Sequence, residues 1–373
     1  MPNPNAIVGR VLSLEPTLEA KPRGAREIIL VDGQRARLDP EDKKSEGLAR
    51  VLDGVGRLGR PVYIETDPGT GFIKRVLLPD VSRVSGIERR NDGSLDVMLE
   101  TSHAIRRLKK DTPDFSAFSK RLNEAERDRK ASLIVTFEDD GTIIDVRPFR
   151  PGPDGDLPPF PRPQWPPLLR WIVDWLKWII RWPIWPWRWC WWWCRCVSAT
   201  RAQQVFDAMA ATTCAPLTVP APCIPFLYPD DGCWARAHEM VRLMLAMGLK
   251  PMKVWIQGYP LHPDTKNHPN CTVTWGWHVA PTLCVRSYWF WFGKRMVIDP
   301  SLCSTPVSKE DWKSIQKNPN ATLTDTDGMY YHWIISQPDD PGYTSTNYYL
   351  NFYRLQLQNR SLQVGPPPYA NCP

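Results

Sequence analysis

The chain has 373 residues, more than one ordinary core accommodates, and at ~100–200 residues per domain it divides into two or three. Hydrophobic residues make up 42% and charged residues 23%, a globular balance that excludes wholesale disorder and a polytopic membrane protein. The net charge of +7 is spread thinly, with 27 Lys and Arg against 25 Asp and Glu in residues 1–150, so no long basic face forms and no nucleic-acid partner is expected.

The amino terminus, MPNPNAIVGRVLSLEP, shows no charged segment followed by an apolar one, so a cleaved Sec-type signal is not visible. Secretion or delivery by a non-Sec route is expected, with a cytoplasmic location as the alternative. Residues 1–150 read as an internal duplication of two small β-rich domains, 1–80 and 81–150, of barrel or half-barrel type. In the first, Arg26 to Asp42 alternates like a strand and breaks at Asp32-Gly33; EGLARVLDGV follows as a helix, and Pro61 to Pro79 closes as a second β-rich run. In the second, Gly93 to Asp111 is hairpin-like, FSKRLNEAERDRKA is helical, and Ser132 to Phe149 completes the repeat. Asp67-Pro68-Gly69 and Asp140-Gly141 sit where the chain must reverse. This half holds one histidine, His103, and no cysteine, which points to binding, targeting or inhibition rather than chemistry.

Residues 151–197 form a Pro/Trp-rich linker. Prolines between Pro148 and Pro167 predict extended polyproline II. Leu168 to Trp182 recovers helical periodicity, with Arg170, Asp174, Lys177 and Arg181 on a polar stripe; at roughly 15 residues it is shorter than the ~20 a bilayer core demands. Eleven of the 19 tryptophans fall between Trp165 and Trp193, a run suited either to a membrane surface or to covering the neighbouring domains.

All ten cysteines lie between Cys190 and Cys372, within or beyond this linker, which favours disulfides or a reactive thiol in the back half. Cys214, Cys223, Cys271, Cys284, Cys303 and Cys372 are candidate disulfide partners; Cys190, Cys194 and Cys196 are a weaker metal group, lacking a well-spaced fourth ligand. Residues 198–373 open with the helix ATRAQQVFDAMAA. A Pro/Cys-rich loop then leads to Cys233, at the start of a helix, WARAHEMVRLMLAMG, with Ala237, Met240, Val241, Met244 and Leu245 inward and Gly248 and Pro251 ending it. A helix amino terminus favours the thiolate and should lower the Cys233 pKa. His238 lies roughly 140° around the same helix, which gives it a structural role. His262 and His268 flank a turn-rich loop and read as solvated. His278 lies in CTVTWGWHVAPTLCV, where alternation puts Val273, Trp275, Trp277 and Val279 on one face and the small residues Thr274, Gly276 and Ala280 beside His278 on the other. The next strand, Arg295 to Ile298, ends at Asp299, and antiparallel pairing can set its carboxylate against the imidazole. Nucleophile, base and orienter in this order are the logic of a thiol acyl-transfer site.

DGCWARAHEM, CTVTWGWHVAPTL and VIDPSL resemble the bacterial protein-glutaminase family, over approximately Pro225 to Trp312. The resemblance implies an α+β chain whose last domain has a papain-like or transglutaminase-like core and deamidates protein glutamine, with Cys233 as nucleophile, His278 as base and Asp299 as third member. Trp234 stands where the family motif has tyrosine. Protein substrates with exposed glutamine are implied; no metal or organic cofactor is. The family's enzymes are exported with a prosegment, and an exported effector or toxin is the corresponding expectation. Two other readings stand beside this one: a transglutaminase or cysteine protease using the same three residues, and a non-enzymatic, membrane-active protein acting through the tryptophan run.

Overall fold

The computed structural model describes residues 5–20, 24–128, 130–150, 196–286, 293–332 and 340–372. The polyproline segment, the amphipathic helix and the tryptophan run expected in 151–195 lie outside these residues. Among the described residues, no helix is long and apolar enough to cross a membrane.

In the first unit, β1 (Ala6–Glu15) is the hub. Its first half pairs with β4 (Pro61–Thr66) and its second half with β2 (Glu27–Leu30), with a register shift at Val11 to Ser13 bending it between the two. Adding β3 (Arg35–Arg37) and β5 (Ile73–Leu77) gives the order β3-β2-β1-β4-β5, and a bridge between Arg37 and Phe72 brings the outer strands together. Gly33, at φ +84°, makes the β2–β3 turn that Asp32-Gly33 predicted. Helix α1 (Ser45–Arg57) fills the sheet's concave side with Ala49, Val51, Leu52 and Val55, all fully buried.

The second unit follows the same pairing order. Its hub strand is split into β6 (Asp80–Ser82) and β7 (Val84–Arg89): β6 pairs with β10 (Leu133–Phe137), and β7 with β8 (Leu95–Leu99). β9 (Ile105–Leu108) and β11 (Ile143–Pro148) flank them, α2 (Phe115–Arg127) packs on the sheet, and an Arg107–Thr142 bridge repeats the Arg37–Phe72 contact. This unit has its own core around Val97, Leu122, Val135 and Val146.

The C-terminal part is built on one antiparallel sheet, ordered β15-β14-β13-β12-β16. Its strands are β12 (Met252–Leu261), β13 (Trp275–Arg286), β14 (Gly293–Val297), β15 (Val307–Ser308) and β16 (Thr322–Asp327). Helix α3 (Ala199–Ala210) is capped by Ser198, whose side chain accepts from Arg201 N–H. Helix α4 (Cys233–Ala246) packs on β13, and α5 (Lys309–Ile315) and α6 (Thr344–Gln363) complete the domain. Leu245, expected inward, is exposed, one step round the helix from the fully buried Met244; Gly248 then ends the helix at φ +74°.

The first unit docks on α6. A Cβ at Gly47 would lie 2.7 Å from a Leu362 methyl, and one at Gly54 2.8 Å from a Leu355 methyl, so a side chain at either position would have to push a leucine aside. Gln356 and Asn359 of α6 donate to the Leu78 and Val76 carbonyls. Disulfides join Cys196–Cys284, Cys214–Cys223 and Cys271–Cys372. Two expectations are corrected: Cys303 is a free, half-buried thiol, and Cys196 is bonded to Cys284 instead of belonging to a metal group.

Candidate active site

Cys233 is the first residue of α4, preceded by Gly232 at φ +80°. A Cβ at Gly232 would collide with the Tyr353 ring, so both the left-handed turn and the packing exclude any larger residue there. The turn seats the sulfur at the helix start, over the middle of β13. His278 faces it from β13; the thiol sulfur and a ring nitrogen of His278 lie within 4.8 Å. His278 Nε2 is 2.9 Å from Asp299 Oδ2, leaving Nδ1 without a hydrogen-bond partner and available to the thiol. Asp299 reaches this position because β14 pairs antiparallel with β13 and Ile298 N–H continues the pairing to the Pro281 carbonyl. Trp312 Nε1–H and Ser301 N–H also donate to the carboxylate, fixing its plane. The structure therefore brings together Cys233, His278 and Asp299.

The surroundings of His278 differ from the expected ring of small residues. The ring stacks on Trp275 at 4.4 Å and lies 5.4 Å from Trp312. Residues three apart on a regular strand face opposite ways; here β12 bulges between Gln257 and Leu261, opposite Trp277 and Trp275, and strict alternation is lost. Trp234 is fully buried, edge-on to Tyr349, Tyr353 and His332, on the core side of the helix.

The thiol is not in the activated state that a helix terminus alone predicts. Cys233 is 1% exposed, and burial pushes its pKa well up; Arg236 and the Val279 backbone N–H, which donates to the sulfur, offset this only in part. Burial also lowers the pKa of His278, against the pull of Asp299. For Asp299 itself burial would raise the pKa, but the charge and hydrogen bonds of His278 and Trp312 outweigh it and the group is held low.

The N-terminal half contributes to that burial. His103 lies with its Nδ1 3.1 Å from Cys233 Sγ, and its carbonyl accepts from Gly276 N–H while Ile105 N–H donates to the Thr274 carbonyl. Residues 103–105 thus extend along β13 just ahead of His278, as an added strand would. Asp231 anchors the segment: its carboxylate accepts from the Ser102 hydroxyl and His103 N–H, and Arg106 lies 3.7 Å away. Arg106 also pairs with Asp80, whose carboxyl burial raises to about 6. His103 is pulled down to about 4 by burial, opposed by Asp231, so it is neutral at neutral pH.

Neither His103 nor Asp231 stood out in the sequence. The one available signal was that His103 is the only histidine in 150 residues. His238 has the structural place expected of it, its Nδ1 2.9 Å from the buried Lys253 Nζ, and His262 is exposed. His268 is a correction: it is buried, 2.8 Å from the Asp139 carbonyl and 3.2 Å from Asp230, which also holds Arg360 through two 2.7 Å contacts.

A thiol at a helix start, an imidazole beside it and a carboxylate behind the imidazole are the parts of a cysteine hydrolase. Residues 202–316 match the sequence model of the Gln_deamidase_2 family, described as Glutaminase, so the C-terminal domain carries a glutaminase-like segment. No curated protein sequence matches the chain. Among solved structures, a crystal structure of pro-protein-glutaminase is similar at 21% identity and a TM-score of 0.48, over 75% of this chain and 93% of that one. A crystal structure of protein-glutaminase is 28% identical with a TM-score of 0.37, over 43% of this chain and 91% of that one. The NMR structure of protein-glutaminase from Chryseobacterium proteolyticum is 27% identical with a TM-score of 0.36, over 41% and 84%.

Proposed function

We propose that Cys233, His278 and Asp299 act as nucleophile, base and orienter in hydrolysis of the glutamine side-chain amide. The observation that carries this reading is the hydrogen-bonded His278–Asp299 pair facing a free thiol within a segment that matches the glutaminase family. His278 takes the thiol proton as sulfur attacks the carboxamide carbon, then gives it to the departing nitrogen, releasing ammonia. The same imidazole draws a proton from water as water opens the thioester, leaving glutamate and the free thiol. The Cys233 backbone N–H at the helix start is one donor for the oxyanion. Asp299 steadies the imidazolium.

In this reading residues 1–80 and 81–150 are two copies of one unit that together cover the site, and substrate enters after the 102–105 segment leaves. The three disulfides among the described residues support an oxidising destination and hence export. The test is ammonia release from a glutamine-rich protein after the N-terminal half has been detached, with mass spectrometry for glutamine-to-glutamate shifts of about 1 Da. Cys233→Ala should abolish both signals; retained release would remove the nucleophile assignment. Chain cleavage would mean a protease, and crosslinking a transglutaminase.

A further inference from the structure

Three side chains that can each ligate a metal meet at the covered thiol, and they come from two halves of the molecule. One nitrogen of His103, one of His278 and the Cys233 sulfur all lie within 4.8 Å of one another, and all three residues are buried. Two further observations point to a ligand. His278 Nδ1 is buried with no hydrogen-bond partner, while its Nε2 is held by Asp299 at 2.9 Å. That carboxylate–histidine arrangement is the one that fixes the tautomer of a metal-bound imidazole. On the other side, His103 Nδ1 sits 3.1 Å from the sulfur and its Nε2 is likewise buried without a partner.

We propose that His103, Cys233 and His278 form a three-ligand site for a soft divalent cation, best fitted by Zn²⁺, that exists only while the N-terminal half covers the thiol. One thiolate and two imidazoles favour zinc over magnesium or calcium, whose ligands are oxygens. With Zn–S near 2.3 Å and Zn–N near 2.0–2.1 Å, the edges of a tetrahedral site are about 3.3–3.6 Å. The His103 Nδ1–sulfur spacing of 3.1 Å lies just below that range and every pair lies within 4.8 Å, so small turns of the side chains bring all three onto one ion, with water in the fourth position. Binding replaces the thiol proton by the ion and releases one proton to solvent. The carboxylates of Asp231, 3.2 Å from His103, and Asp299 balance the charge. The neighbouring Arg236 guanidinium gives its Nη1 to the Tyr228 and Asp231 carbonyls, while its Nη2 is buried without a partner.

The consequence is regulatory. One ion would occupy the nucleophile and the base together and tie both to the segment that covers them. The inference rests on the reading of Cys233 and His278 as the site's thiol and base, but its measurement needs no turnover.

The experiment is equilibrium dialysis of the full, metal-stripped chain against Zn²⁺, with metal counted by mass spectrometry and proton release followed at weak buffering. About one tightly bound zinc and one proton per chain are expected, with affinity falling at least about tenfold in each of His103→Gln and Cys233→Ser. Because either variant could misfold, a second measurement uses the unaltered chain: Zn²⁺ should slow alkylation of Cys233 but not of Cys303. No bound zinc, zinc bound equally well by folded His103→Gln, or alkylation of Cys233 that ignores zinc would each overturn the site. Loss of the metal site with ammonia release intact in the detached enzyme leaves the deamidase reading standing; bound zinc without ammonia release does the reverse.

Discussion

His103 and Cys233 are 130 residues apart in sequence, yet the imidazole Nδ1 lies 3.1 Å from the thiol sulfur. On the proposed reading of Cys233 as the nucleophile, this contact places the N-terminal half in the path of substrate. It adds to the burial that raises the thiol's pKa.

Weakening the cover should expose the sulfur. Ser102 donates its hydroxyl to the buried Asp231 carboxylate, a bond to a charged group worth about 1.5–3 kcal/mol. Ser102→Ala is expected to speed alkylation of Cys233 by about tenfold to a hundredfold, read by intact mass, with ammonia release rising in step. An unchanged rate would show that this segment does not control access.

Asp299→Asn keeps an acceptor for Trp312 but leaves the imidazolium without its counter-charge. In the detached enzyme kcat should fall by about 10²–10⁴ while the melting temperature changes little. A loss under tenfold would remove Asp299 from the reaction.

Gly232→Ala places a side chain at φ +80° and against the Tyr353 ring. The strain and overlap together should cost about 3–5 kcal/mol in urea unfolding of the full chain.

Arg360 bonds Asp230 through two nitrogens and reaches Asp139 of the second unit at 2.7 Å. Arg360→Met leaves a buried carboxylate with only His268, and an expected loss of about 3–5 kcal/mol. A neutral result in the same unfolding measurement would mean that His268 alone suffices.

The cover should loosen in acid. His103 titrates at about 4 when docked and near 6.5 when free, so the undocked form binds more protons between those values. Docking is therefore fully supported above pH ~6.5 and weakens as pH falls toward 4, at most by about tenfold per unit. Asp80, held at about 6 against an ordinary value of 3.8, takes up a proton over the same window and offsets most of the loss, so the net loosening is small, while Asp231 is held low and stays charged. In His103→Gln only the opposing Asp80 contribution remains, so the pH dependence of Cys233 alkylation should reverse its sign; an identical slope would assign the effect to the carboxylates.

Much of the site was legible in the sequence because its parts are local or one strand apart. A glycine before Cys233 starts a helix, and antiparallel neighbours deliver Asp299 to His278. The pairing order of the first 150 residues could be followed in part from the turns at Asp32-Gly33 and Asp140-Gly141. The hub strands were not seen: β1 bends and β6–β7 break, so neither keeps a steady alternation. His103 and His268 were misjudged for a different reason. His268 sits in a turn-rich loop that reads as solvated and His103 in a hairpin-like run that showed no chemistry, and each is buried by residues more than a hundred positions away, which no local pattern reports. The helix-terminus argument for Cys233 was sound for an open site and failed because another part of the chain closes it.

The bare backbone at Gly47 and Gly54 lets α1 lie flush on Leu355 and Leu362 of α6. Parting the two halves would strip that pair of leucines of their shelter and hand them to water. A trimmed preparation should accordingly clump unless its discarded partner lingers or a mild detergent takes its place, so yield and shelf life would be governed by a seam remote from the sulfur.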